Sequence, residues 1–217
     1  MMCKLLKKYW PNHPPADVGI FENVPDVDGD VCLVPLGKQA SVSWAGEMIA
    51  YLKGQADDLI LLCLDDYGLF QPVNEAAIQF GINMMMVCPT WCSFALTWQP
   101  CDVFDRQGDW VTFGQWPYSF NTQAAIWRRT DLLRTLENIP KGTGVWHTER
   151  AGTQFFHRVM WPEGKRMAGW YIPRPENASG FVDETDKANW PIKYNNLYRQ
   201  GRLDRRHIPF LKSEGLL

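Results

Sequence analysis

Two adjacent carboxylates, Asp65 and Asp66, follow directly on the apolar run Leu59-Ile60-Leu61-Leu62-Cys63-Leu64. An apolar run of this length, bounded by charge, predicts a strand buried on both faces of a parallel sheet. The carboxyl end of such a strand is where open α/β sheets place their ligands. Side by side, two carboxylates repel unless something positive sits beside them. A divalent cation carrying a phosphate-bearing substrate is the simplest such partner. The alternative is a turn in which both aspartates face water.

A third carboxylate, Glu149, lies in Val145-Trp146-His147-Thr148-Glu149-Arg150, just after the flexible turn Gly142-Thr143-Gly144. At or near a helix start it can serve as a general base toward a bound hydroxyl, or simply complement the helix dipole. His207 lies in a basic C-terminal stretch with Lys193, Arg199, Arg202, Arg205 and Arg206. If that stretch folds over the site, its neutral imidazole can reach a cation. Tryptophan faces suit the C–H faces of sugar rings, which makes Trp91, Trp98 and Trp146 candidates for gripping an acceptor. Trp127 is a further candidate, although its place among apolar neighbours also reads as core.

The elements needed to position these groups follow from the patterning. Residues 16–21 and 31–36 read as short strands and residues 41–53 as a helix stopped by Gly54. The apolar strand comes next, then a helix over 72–80 capped by Asn74 and ended by Gly81, and a fourth strand over 84–88. Residues 89–109 read as a long, aromatic-rich irregular segment. A strand at 110–113, a helix over 122–137, a helix from Glu149 to about residue 159 and a last strand at 169–173 complete the domain. This alternation predicts an α/β fold. The expected division is a domain over residues 1–174 and an extension over 175–217 that folds over the site.

The composition, with 46% hydrophobic and 21% charged residues, is that of a globular chain, and a net charge of −2 gives no polyanion-binding signature. No apolar run reaches membrane-spanning length, and residues 1–10 lack a secretory apolar core. A soluble, cytoplasmic protein is therefore expected. Six scattered cysteines fit reduced thiols better than a disulfide frame; Cys88, Cys92 and Cys101 lack a fourth ligand at metal-site spacing.

The run ADDLILLCLDDYGLFQPVN resembles the aspartate-bearing strand end of GT-A-fold glycosyltransferases that use nucleotide sugars, in particular a small bacterial and phage-type group. The segments LLKKYWPNHP, FNTQAAIWRRTDLLRTL, VWHTERAGT and IKYNNLYRQGRLDRRH match in the same order, so the resemblance runs from about Leu5 to His207. It implies a Rossmann-like, mixed but mostly parallel sheet with flanking helices. The first strand, which in that group holds the nucleotide base, is not recognisable in this sequence. It further implies that Asp65 and Asp66 bind a divalent cation (Mn2+ or Mg2+) and the donor diphosphate, with Asp66 coordinating directly and His207 as an additional ligand. Tyr67, Gln123, Ala124 and Trp127 would approach the donor, a UDP-sugar. Glu149 would deprotonate the acceptor hydroxyl, giving inversion at the anomeric carbon. The acceptor is a saccharide or, alternatively, hydroxymethylated bases in DNA, with the basic C-terminal stretch together with Arg128 and Arg129 supplying phosphate contacts. A different outcome is a degenerate domain that binds sugar nucleotides without catalysis.

Overall fold

The computed structural model describes residues 2–20, 31–35, 40–64, 67–97, 102–142, 144–172, 191–199 and 202–217. Helix α1 (Met2–Tyr9) precedes the parallel strand pair β1 (Ala16–Ile20) and β2 (Val31–Pro35), and α2 (Ala40–Gly54) follows. Then come β3 (Leu59–Leu62), β4 (Tyr67–Leu69), α3 (Glu75–Val87), β5 (Trp91–Ala95), β6 (Val103–Gln107) and β7 (Trp110–Phe113). Strand β8 (Ala125–Arg128) passes directly into α4 (Arg129–Glu137), and α5 (Val145–Phe155) continues as a π-helical turn, Phe156–Met160. The remaining described elements are β9 (Arg166–Trp170), β10 (Tyr194–Asn196), the short pair β11 (Tyr198–Arg199) and β12 (Arg202–Leu203), a 3-10 turn at Arg205–His207, and α6 (Ile208–Ser213).

Six strands form one sheet in the order β3-β8-β5-β9-β7-β6. Side chains on its two faces separate cleanly. Ala125, Trp127 and Met167 join Leu52 of α2 and Leu132 and Leu136 of α4 on one side. Phe94, Ile126 and Ala168 join Leu5 of α1, Ile78 and Met85 of α3, and Leu211 of α6 on the other. The fold is thus mixed α/β, a sheet covered by helices on both faces. Period-2 alternation explains the split: Ala125 and Trp127 point one way from β8 and Ile126 the other.

The expected mostly parallel pairing is corrected. Of the neighbouring pairs only β5 with β9 is parallel; β3 with β8, β8 with β5, β9 with β7 and β7 with β6 are antiparallel. The reason is two reversed strands, β8 between β3 and β5 and β7 between β9 and β6. Each makes two antiparallel ladders while leaving β3, β5 and β9 running in the same direction, so their carboxyl ends still share one edge. Strand β3 is accordingly not buried on both faces of a parallel sheet. Its residues are half-buried until Leu62.

Five further expectations change. Residues 84–88 are not a strand, because α3 runs on to Val87. Gly81 does not stop this helix. It lets it lie close to β5, where an added Cβ would stand 2.8 Å from the Phe94 ring. The apolar character of the last turn is left facing outward at Met86 and Val87. Residues 122–137 divide into β8 and α4, and residues 89–109 contain β5 and β6 in place of an irregular loop. The last sheet strand lies earlier than expected, at Arg166–Trp170. The Asn74 cap is as expected, its side chain accepting from Ala77 N–H at 3.1 Å.

The C-terminal residues are built into the domain. Strand β10 pairs antiparallel with β4. Glu214 accepts hydrogen bonds from Lys8 Nζ at 2.6 Å and from Tyr9 Oη at 2.8 Å. Among the described residues no helix is long and apolar enough to cross a membrane.

Candidate functional site

Of the candidate residues, Gln123 lies at the shared edge of the sheet, and Glu149 is tied to it through Thr122. Leu62 ends β3 opposite Ala125, and Ala95 ends β5 opposite the same residue. Gln123, two residues ahead of Ala125, therefore sits where β3 and β5 both end. Thr97 Oγ1 donates to Gln123 Oε1 at 3.3 Å, and Tyr194 Oη donates to the same oxygen at 3.1 Å. Leu96 N–H donates to Ala124 O at 3.0 Å, which locks the turn into β8.

One face of α5 holds the approach to β8. Glu149, Thr153 and His157 recur every four residues, so they line one stripe of the helix and its π-helical continuation. Glu149 Oε1 accepts from both the N–H and the Oγ1–H of Thr122, each at 2.7 Å. Thr153 Oγ1 accepts from Phe120 N–H at 3.1 Å and donates to Phe120 O at 3.3 Å. His157 Nε2 lies 3.0 Å from Ser119 Oγ. Three consecutive turns of helix thereby fix residues 119–122. Gly152 permits the contact: a Cβ there would fall 2.6 Å from the Phe120 ring, itself fully buried. Gly152→Ala is expected to destabilise the fold by about 1–3 kcal/mol through overpacking, read as a lower urea midpoint.

Glu149 is not a first-turn residue of α5, where no acidic residue lies. Complementing the helix dipole is thus not its role. Burial pushes its carboxyl above the usual range, while the Thr122 N–H and hydroxyl pull it back down. Both bonds fall on Oε1, and among the described residues no donor reaches Oε2. The geometry is that of a carboxylate anchored by one oxygen and available through the other. Burial holds His157 below its ordinary value, so its imidazole is neutral at pH 7.

The other predicted residues separate into groups. Asp65, Asp66 and Trp98 lie outside the described residues. The two aspartates are the whole connection between Leu64, just past β3, and Tyr67, which opens β4. Trp146 stands on the first turn of α5 with 76% of its surface exposed. Trp91 does not serve as an exposed platform: it is buried, stacked on Phe94 at 5.9 Å and edge-on to Trp110 at 5.0 Å. It leaves the acceptor set for the core because β5 is buried along its whole length. Ala124 and Trp127 are buried too, and Trp127 packs on Phe120. Their side chains line the interior, so any approach to a donor at this point is made by Gln123. His207 is half-buried in the 3-10 turn, its N–H donating to Asp204 O at 3.0 Å.

Arg128 and Arg129, expected to supply phosphate contacts, are both engaged with backbone carbonyls. Arg128 Nη2 donates to Met85 O at 2.6 Å and its Nε to Trp91 O at 3.3 Å. Arg129 Nε donates to Asp57 O at 2.8 Å. Both cap chain ends at the edge of the sheet opposite Gln123, satisfying carbonyls left open where elements terminate. Among the described residues, no group of three or more His, Cys, Asp or Glu side chains gathers as a metal-binding cluster.

No family model matches the chain, and no curated protein or solved structure matches it either.

Sequence reasoning missed Thr122, Thr97 and Tyr194 as partners of the candidate groups. The spacing of Glu149, Thr153 and His157 carried a local signal for the stripe that holds Thr122.

Proposed function

We propose that this protein is a glycosyltransferase that moves a sugar from a nucleotide-sugar donor, a UDP-sugar, to an acceptor hydroxyl with inversion. The observation that carries the reading is Glu149: a partly buried carboxylate, raised above its ordinary range, anchored through Oε1 and offering Oε2. This combination suits a general base, since raised basicity favours proton transfer and the unbonded oxygen can receive the proton. Support also comes from the sheet. Although the neighbour pairing is mixed, β3, β5 and β9 run the same way and their carboxyl ends meet at one edge, the location favoured for ligands in open α/β sheets. The GT-A resemblance assigns the donor diphosphate to this same edge, next to Asp65-Asp66.

In this reading each residue of the chain has one task. Glu149 takes the acceptor proton on Oε2 while Thr122 keeps the carboxylate from rotating away. Gln123, its amide oxygen fixed by Thr97 and Tyr194, presents its remaining amide group to the donor. Trp146 offers an exposed ring for an acceptor saccharide one turn before Glu149. The carboxylate oxygens of Asp65 and Asp66 are the hard donors that suit Mn2+ or Mg2+, and these two residues would hold the ion. When bound, that ion offsets the charge of the departing nucleotide diphosphate. A saccharide acceptor is preferred to DNA because the net charge of −2 gives no polyanion-binding signature.

Titration calorimetry with UDP tests the donor half of the site. Binding is expected to be tighter in Mn2+ than in EDTA for the wild type, and indifferent to metal for Asp66→Ala. Equal affinity in Mn2+ and EDTA for the wild type would remove Asp66 from the donor site.

A further inference from the structure

Trp127 is 2% exposed, yet among the described residues its indole Nε1–H has no hydrogen-bond partner. Buried donors in native structures are almost always paired, so an orphan of this kind points to an acceptor beyond the described residues, such as a water or a ligand. Trp127 forms part of the wall of a pocket between the sheet and residues 114–121, with about 260 Å3 of empty space, part of it continuous with solvent. The enclosed portion has room for a single water-sized group.

The other polar atoms on this wall are already engaged. Ser93 Oγ donates to Met167 Sδ at 2.9 Å. Ser119 Oγ is held by Trp116 N–H at 2.9 Å, Trp116 O at 2.9 Å and His157 Nε2. Asn121 donates to Tyr118 O and accepts from Gln123 N–H, both at 3.1 Å. Apolar surface from Ala95, Ala125 and Phe113 makes up much of the rest. The site therefore presents one unused donor in an apolar setting. Nothing cationic lines it to offset a charge, which disfavours an anion.

We infer that this pocket binds one neutral hydrogen-bond-accepting oxygen, held by Trp127 Nε1–H. The oxygen belongs either to an ordered water or to the carbonyl of a small ligand group such as an acetamido substituent, whose methyl would lie against the two alanines. The inference does not depend on glycosyl transfer.

Indole N–H spectra of 15N-tryptophan-labelled protein test it, with Trp127→Phe identifying the resonance by its loss. The remaining ten indole signals report whether that variant is folded. A long-lived cross-relaxation signal to water that acetamide does not alter assigns the oxygen to solvent. A saturable shift of this resonance alone on adding acetamide, abolished by the pocket-filling Ala125→Val, assigns it to a ligand carbonyl. A Trp127 resonance with neither a bound-water signal nor a response to acetamide overturns the proposal.

Discussion

Replacing Glu149 by Gln is expected to lower kcat/KM for sugar transfer by about 10²–10⁴-fold, the range supplied by a positioned general base. The amide keeps the shape and can still accept from Thr122 N–H, so the loss is chemical rather than structural. The pH dependence has a definite sign. Transfer by the wild type requires ionised Glu149, so its rate falls as pH drops through a midpoint above the ordinary carboxylate range, because burial raises that group. Stability moves the other way. With the folded-state value raised, the folded chain binds this proton more readily than the unfolded chain between the two values. Glu149 therefore detracts from stability above that window, and the loss is relieved as pH falls through it. Glu149→Gln should be at least as stable as wild type at neutral pH, with the difference shrinking on acidification. A residue that lowers activity when replaced but not stability is one kept for function. Parallel pH–rate profiles and urea titrations measure both halves.

Asp131→Asn should do the reverse. Asp131 is 5% exposed in the first turn of α4, with Lys165 Nζ 2.7 Å from its Oδ2 and Arg128 Nε at 3.9 Å. Lys165 Nζ also donates to Pro89 O at 3.3 Å, so the pair joins α4 to the chain entering β5. Removing the carboxylate charge leaves a partly buried ammonium with only neutral oxygens as partners, the Asn amide and Pro89 O. Breaking a buried pair in this way costs about 3–5 kcal/mol. The lower end applies, because Lys165 keeps 23% of its side chain exposed. The signature is a lower urea midpoint at unchanged slope. Asp131 lies at the edge opposite Gln123, so transfer per folded molecule should be unaffected. The two variants thus separate the scaffold from the chemistry, one at each edge of the same sheet.

How much of this was legible in the sequence depends on punctuation. Strand β7 and helix α2 carry strong patterns and clear boundaries, and both stand close to where those patterns put them. The junction of β8 and α4 carries no boundary. Arg128 is still extended and Arg129 already helical, with no Gly, Pro or Asn between, so Ile126 and Trp127 fell into register with Leu132 and Leu136 as one false helix. Gly81 misled in the opposite sense, since its missing side chain serves packing against Phe94 rather than a helix stop. At the site, Glu149 stood out because a carboxylate beside a glycine-rich turn is locally unusual. Its partner Thr122 is 27 residues away and Tyr194 is 71 residues from Gln123. Contacts across such distances are created by the sheet order and by the two reversed strands, β8 and β7, which no local pattern encodes.

The most direct test of glycosyl transfer is a panel of nucleotide-sugar donors, assayed for nucleotide release in Mn2+ and in EDTA, with Asp66→Ala alongside the wild type. At least one donor, a UDP-sugar, should give release that requires metal and falls to background in Asp66→Ala. Release that is unchanged in EDTA and in Asp66→Ala, or no release from any donor by folded wild-type protein, would contradict the assignment.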